Sequence, residues 1–229
     1  MKIVSIIPAR GGSKSIPKKN IQLINQKPLL AYSIAYSLKS KLVNKTVVTT
    51  DSTEIAVIAK KYGAMVPFLR PAEYADDDSR DYLFMRHALD YFENEGEIYD
   101  LYVLLRPTSP IRSENLIERS IDILNKYKNA TSVRSVAKIK EHPLRAWKAN
   151  SEGGISGFVD DLIEPYNWPR QELPEIYFQT GDIEVIKRET LLSGSISGSN
   201  VYPLLIEHSE MLDIDNFKDL GKASDILKS

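Results

Sequence analysis

Short apolar runs rich in Val and Ile alternate along the chain with stretches in which apolar residues recur every three or four positions. Residues 2–8, 46–50, 101–105 and 131–139 are of the first kind, bounded by polar residues or Pro, and read as buried strands. Leu30, Ile34 and Leu38 begin the second kind, followed by Ile55, Ile58, Ala59 and Tyr62, by Phe84, His87, Ala88 and Tyr91, and by Ile117, Ile121 and Leu124. Each set fits one buried helix face. Asp51 with Glu54 three residues on predicts a capping-box start for the second helix, and Ser113 a cap after "RPTSPIR". The alternation predicts an α/β fold, a three-layer Rossmann-like sandwich around a mostly parallel sheet.

The pattern breaks over residues 140–174, which carry Pro143, Pro165, Pro169 and Pro174, the Gly153-Gly154 pair, and Trp147, Tyr166 and Trp168. A disordered linker would not concentrate aromatics, so the segment reads as an arm inserted into a single domain spanning 1–229 and packed on another surface, a partner subunit being one candidate. Strand character resumes at "YFQTGDIEVI" and "VYPLLIEHS", and Phe217, Leu220, Ala223 and Leu227 predict a closing helix. No repeat interrupts the plan.

Composition narrows the chemistry. A chain of 229 residues with 42% hydrophobic content buries a sizeable core. Its 30 basic and 31 acidic residues leave a net charge of -1, so no global field draws it to nucleic acid or an anionic membrane. The absence of cysteine removes disulfides and thiol catalysis. "MKIVSIIP" is too short for a signal peptide, and no apolar run of about 18 residues is present, so a cytoplasmic enzyme is expected.

Any anion site must then be local, and "IPARGGSKSIPKKNI" after the first strand has the equipment for one. In open α/β sheets ligands sit outside the carboxyl ends of the strands. Gly11 and Gly12 let backbone N–H groups approach an oxyanion, while Arg10 adds a bidentate fork and Lys14 and Lys19 point charges. The spacing matches neither a Walker A loop nor a dinucleotide fingerprint. A solvated basic turn is the alternative.

The stretch "IIPARGGSKSIPKKNI" resembles the signature of the acylneuraminate cytidylyltransferases, and the likeness continues through "TTDSTEIAVIAKKYGA", "LRPAEYADDDS", "LLRPTSPIR", "EHPLR", "PRQELP" and "LDIDN". The resemblance implies a nucleotidyltransferase fold and transfer of CMP from CTP to the anomeric hydroxyl of a nine-carbon 2-keto acid sugar, with Mg²⁺ and release of pyrophosphate. It implies triphosphate binding by Arg10, Lys14 and Lys19 with Asn20 beside them, and a base and ribose bordered by Arg70 and Ser79. It further implies a homodimer whose arm carries Arg145 and Arg170 to the sugar carboxylate in a partner's site, and a metal pair at Asp213 and Asp215. Arg10, Lys19 and Asp215 are the expected catalytic residues. Cations plus Mg²⁺ on carboxylates suit attack on phosphorus, which needs charge neutralisation and in-line positioning.

Departures from the family pattern concern the sugar side. Where the family reads "LLQPTSPLR" this chain has Arg106, and where it reads "RPNGAIYI" this chain has "FQTGDIEVI". Phe178 removes a cation and Thr180 an amide, while Arg106 and Asp182 add charges; with Gln179 these are the expected sugar-facing residues. A different nonulosonic acid, such as a legionaminic- or pseudaminic-type sugar, or a different nucleotide such as GTP, is the implied alternative.

Other residues invite plainer readings. His87 lies on an apolar helix face as core, whereas His142 is a candidate for the sugar site. "DIDN" opens like an EF-hand loop, but Lys218 stands where glycine is required. Either Asp213 or Asp215 could instead cap the final helix. A glycosyltransferase would place its D-x-D mid-chain, whereas Asp213-Ile214-Asp215 is near the C-terminus; a non-catalytic nucleotide sensor would lack this pair or the basic loop.

Overall fold

In the computed structural model, which describes residues 1–76, 78–208 and 211–228, the first apolar run forms strand β1 (Ile3–Pro8). Its side chains alternate between two cores: Ile3 and Ile7 join one, Val4 and Ile6 the other. A strand buried on both faces carries apolar residues at nearly every position, hence the unbroken run. Asp77 of the acidic turn and Ser209 at the end of "VYPLLIEHS" lie outside the described residues.

After β1 come the short pair β2 (Leu23–Ile24) and β3 (Lys27–Pro28), then α1 (Leu29–Lys39), β4 (Lys45–Thr49), α2 (Thr53–Lys61) and α3 (Asp81–Asn94). The chain continues through β5 (Leu101–Leu104), α4 (Leu116–Lys126), β6 (Ser132–Lys138) and a hairpin of β7 (Trp147–Ala149) with β8 (Ile155–Gly157). It closes with β9 (Tyr177–Lys187), α5 (Arg188–Leu192), β10 (Val201–Leu205) and α6 (Phe217–Ile226). Six strands form the main sheet in the order β10-β6-β9-β5-β1-β4. β1 is parallel to β4 and β5, and β10 is parallel to β6, while β9 runs antiparallel to both β5 and β6. The other strands therefore share one direction.

Helices cover both faces, giving the three layers expected. Leu30 and Ile34 of α1, Ile55 and Ala59 of α2, and Ile117 and Ile121 of α4 pack on one side; Phe84, Met85 and Leu89 of α3 and Leu191 of α5 pack on the other. A third, smaller core joins Ile16, Ile24, Leu29, Ile214 and Ala223.

Local details differ from the sequence expectation for identifiable reasons. Leu38 is exposed, and the buried face of α1 carries Ser33 and Ser37 instead. Ser37 hydrogen-bonds Ser5 and, at 2.7 Å, Thr46, so hydroxyls satisfied by one another fill a place that hydropathy assigns to leucine. The N-cap of α2 is Ser52, whose side chain accepts from the Ile55 N–H, and Asp51 is turned elsewhere. α4 starts at Leu116 behind Asn115 with no side-chain cap, and Ser113 does not cap it. Neither Asp213 nor Asp215 caps α6: Asn216 does, in a capping box with Asp219, while Phe217 at the start of the helix is exposed.

Asn216→Ala should remove one cap, costing about 1 kcal/mol and lowering Tm by roughly 2–4 °C in a chain of this size, measured by calorimetry.

Candidate active site

A cleft of about 410 Å³ opens at the carboxyl ends of β1 and β5, and Arg10, Gly12, Lys14, Lys19, Arg70 and Arg106 are on its walls. From β1 the chain passes to β4 on one side and only then to β5 on the other, so this is the topological switch point of the sheet. The loop after β1 is strapped to the start of α2. The Ala9 N–H donates to the Thr49 carbonyl at 3.0 Å, the Gly11 N–H to Asp51 Oδ1 at 2.8 Å, and Lys18 Nζ to Glu54 Oε2 at 2.7 Å. The two glycines thus differ. A Cβ on Gly11 would stand 3.1 Å from Ser52 Cβ, so Gly11 is needed for close packing and its amide is committed to Asp51. Gly12 has open space around it and faces the cleft. Buried Asn20 donates to the Arg10 carbonyl at 2.9 Å, which fixes the backbone carrying that cation.

Arg70 lies deep against the end of β4. Its Nε and Nη2 donate to Thr49 Oγ1 at 3.1 Å and the Thr49 carbonyl at 2.6 Å, and its guanidinium lies 4.8 Å from the centre of the Phe84 ring. Burial pushes its pKa down to about 10, which still leaves a cation at neutral pH. Ser79 also lines the cleft, its hydroxyl donating to the Glu73 carbonyl at 2.9 Å; α3 begins two residues later, behind Arg80.

Lys19 joins the loop to the C-terminal segment. Its ammonium donates to the Ile214 carbonyl at 2.8 Å and lies 3.7 Å from Asp215 Oδ1. Ile214 is fully buried in the third core, and its N–H donates to the Thr108 carbonyl at 2.8 Å. Asp213 and Asp215 flank it, both exposed. Among the described residues no cluster of three metal-ligating side chains occurs. Two hard-oxygen donors beside a basic loop fit Mg²⁺, which needs only one or two carboxylates when phosphate and water supply the rest.

Arg106, at the end of β5, donates Nη1 to Glu184 Oε1 at 2.6 Å and Nη2 to Asp81. Glu184 is buried and also accepts from Arg134, which reaches Gln179 Oε1 at 2.7 Å. Burial alone would lower the Arg106 pKa, but the Glu184 and Asp81 carboxylates outweigh it and the net shift is upward. Thr180 and Asp182 are placed differently from the other expected sugar-facing residues. Both are buried; Thr180 bonds Ser135 at 2.7 Å, and the Asp182 carbonyl accepts from Arg112 Nε at 2.8 Å. Burial pushes the Asp182 carboxyl up, and its Oδ1 has no hydrogen-bond partner. Phe178 is exposed.

Arg145 and Arg170 lie apart from this cleft. They line a second cavity of about 350 Å³ at the neck of the arm, together with His142. Arg145 donates to the Trp168 carbonyl at 3.1 Å. His142 Nδ1 accepts from the Leu144 N–H at 3.2 Å, and Nε2 donates to the Pro174 carbonyl at 3.1 Å, which selects the neutral Nε2–H tautomer. His87 packs edge-on to Phe68 at 4.6 Å, its pKa lowered by burial and then by Arg70.

Asp51, Glu184, Arg134 and Arg112 were not singled out as site residues by the sequence. Glu184 did carry a signal, as a charge inside the apolar run "DIEVI", since buried carboxylates are rare unless paired.

A mostly parallel sheet with glycines and cations gathered at its switch point defines the class, an α/β nucleotidyltransferase. The chain matches the cytidylyltransferase family over residues 4–151 and belongs to it. It is 34% identical over 217 residues, 94% of this chain and 91% of the relative, to the CMP-N,N'-diacetyllegionaminic acid synthase of Legionella pneumophila. It is 30% identical over 230 residues, 100% of this chain and 97% of the relative, to a pseudaminic acid cytidylyltransferase of Campylobacter jejuni. Among solved structures, a CMP:2-keto-3-deoxy-manno-octonic acid synthetase complexed with CTP superposes with a TM-score of 0.74 at 16% identity, covering 100% of this chain and 99% of that one, a likeness of fold.

Asp51→Ala should leave the Gly11 amide without its acceptor and weaken nucleoside triphosphate binding about tenfold, roughly the 1.4 kcal/mol of one charge-assisted hydrogen bond. Asp51→Asn, which keeps an acceptor oxygen, should bind within a few-fold of wild type by titration calorimetry.

Proposed function

We infer that this protein transfers CMP from CTP to the anomeric hydroxyl of a nonulosonic acid and releases pyrophosphate. The contact that carries the reading is Lys19 bridging the basic loop to the Asp213–Asp215 segment, because it puts phosphate-binding cations and metal-type carboxylates at one rim. Likeness to the legionaminic and pseudaminic relatives over nearly the whole chain supports the acceptor class.

Arg10, Lys14 and Lys19 neutralise the triphosphate and hold the α-phosphorus for in-line attack, with Gly12 allowing close approach of the backbone. Asn20 and Asp51 set the loop that carries them. Arg70 and Ser79 border the nucleoside end of the cleft. Asp213 and Asp215 would hold Mg²⁺, which supplies charge neutralisation at the phosphates when bound.

The arm supplies a second copy's share. Its cavity gathers Arg145 and Arg170 away from the nucleotide cleft, and Ile155, Phe158 and Ile163 stand exposed on it. An apolar arm with two cations at its neck suits a homodimer in which each arm offers an anion site to the sugar carboxylate bound by the other copy. No helix among the described residues is long and apolar enough to cross a membrane, and the reading places the enzyme in the cytoplasm with its CTP.

Lys19→Ala should cut kcat/KM for CTP by about 100-fold, the scale of losing a charge that stabilises the transition state, measured by pyrophosphate release. Asp215→Asn should lower turnover at least as far and raise the Mg²⁺ concentration needed, with Tm unchanged; normal turnover and metal dependence would remove the metal assignment. Sedimentation of the active enzyme should show a dimer, and an active monomer would refute the shared site.

A further inference from the structure

We propose that Arg112 is a positioning residue of the site: it locks the turn of residues 106–109, and through that turn holds the segment carrying Asp213 and Asp215 beside the cleft. The proposal rests on the cytidylyltransferase reading and deepens it. Arg112 itself stands behind the cleft wall, beside a separate cavity of about 210 Å³ that Tyr36 of α1 and Glu118 of α4 also line.

The turn follows β5 directly. Pro107 and Thr108 form its tip, and the Ser109 N–H donates back to the Arg106 carbonyl at 3.3 Å. Arg106, Pro107 and Thr108 line the cleft. The tip also receives the C-terminal segment, because the Thr108 carbonyl accepts from the Ile214 N–H at 2.8 Å and Asp213 and Asp215 flank Ile214. Lys19 and the small core tie Ile214 to the basic loop after β1; the Thr108 bond ties it to the β5 side. The place of both carboxylates therefore depends on where the turn lies.

The base of the turn is held by one guanidinium. Arg112 donates Nη2 to the Arg106 carbonyl at 2.6 Å, Nη1 to Ser33 Oγ of α1 at 3.0 Å, and Nε to the Asp182 carbonyl of β9 at 2.8 Å. Ser33 donates in turn to the Arg106 carbonyl at 3.2 Å. An irregularity of the sheet explains why β9 offers a carbonyl there. Glu184 pairs with Arg134 and Gln179 with Val136, so residues 180–183 stand against Ser135 alone and leave the ladder. The bulge presses on the turn: a Cβ on Gly181 would lie 2.7 Å from Ser109 Oγ. Turn, helix and bulge thus meet at Arg112, although they are distant along the chain.

The side-chain type matters. Three acceptors in three directions match the planar fork of a guanidinium, whereas a lysine ammonium keeps the charge and cannot reach all three in one geometry. Loss of the fork frees the turn to shift, and a displacement of about 1 Å in a group that positions reacting atoms costs on the order of 100-fold in rate.

The test uses R112K, which keeps the charge, and S33A, which removes the second side-chain donor to the same carbonyl. Amide hydrogen exchange in the metal-free protein, read residue by residue, should be at least about tenfold faster at Ser109 and Ile214 in R112K, and faster by a smaller factor in S33A, while β1 amides stay within about twofold of wild type. Pyrophosphate release from CTP with N-acetylneuraminate or a legionaminic-type acid should fall about 10- to 100-fold in R112K, and half-maximal rate should need at least about threefold more Mg²⁺. Exchange at Ile214 that is unchanged, or that accelerates only in step with β1, overturns the proposal. So does an R112K enzyme with the wild-type rate and Mg²⁺ dependence. If R112K does not fold, S33A carries both measurements, and wild-type exchange at Ser109 and Ile214 in that variant overturns the proposal. Wild type inactive toward every nonulosonic acid would defeat the functional reading instead, and exchange at Ile214 would then decide the positioning claim alone.

Discussion

Ile214 is the point on which the site depends. Its side chain is sealed in the small core with Ile16 from the basic loop after β1 and Ala223 from α6, its N–H is taken by Thr108, and its carbonyl receives Lys19. One apolar residue thereby registers the loop after β1, the loop after β5 and the C-terminal segment against one another. Burial of a whole isoleucine contributes about 1.5–3 kcal/mol, which holds the two flanking aspartates at the surface on either side of it. The two aspartates are oriented by the hydrophobic effect acting on the residue between them.

Around that anchor, polarity is arranged by depth. Arg70 is buried and Arg112 half-buried, the pKa values of both are pushed down to about 10 by desolvation, and both are satisfied largely by carbonyl and hydroxyl oxygens. Arg106, nearer the rim, is satisfied by carboxylates and shifts upward. The basic loop is held through its backbone by Asp51 and Asn20 and through its side chains by Lys18 on Glu54 and Lys19 on the Ile214 carbonyl, with Arg10, Lys14 and Lys19 on the cleft wall.

Much of this was legible in the sequence because the driving periodicities are strong. β1, β4, β5 and β6 fall within a residue or so of the apolar runs, since strands buried on both faces leave no ambiguity. The basic loop declared itself by cations and glycines after a strand, which in this architecture end on one edge. What stayed hidden depends on pairings distant along the chain. Asp51 looks like a helix cap until Gly11 is seen to claim it, forty residues away. Thr180 and Asp182 look like ligand-facing residues until β9 is seen to bury them between its neighbours. Ser37 replaces Leu38 on the buried face of α1 only because Ser5 and Thr46 offer it hydrogen bonds. Local pattern encodes which surfaces are apolar; it does not encode which polar atoms will find each other.

The reversed direction of β9 has a consequence for how the molecule can vary. Because β6 leaves the sheet at its carboxyl edge and β9 re-enters at that same edge, the chain between them departs and returns at neighbouring points. A parallel strand in that place would have demanded a crossover back along the whole sheet, with a length and handedness dictated by the core. The excursion of residues 139–176 carries no such obligation. It can lengthen, shorten or exchange its aromatic and charged residues while the sheet beneath it stays in register. In such an arrangement the sheet and its switch-point cleft are inherited with the scaffold, and the loop is free to drift.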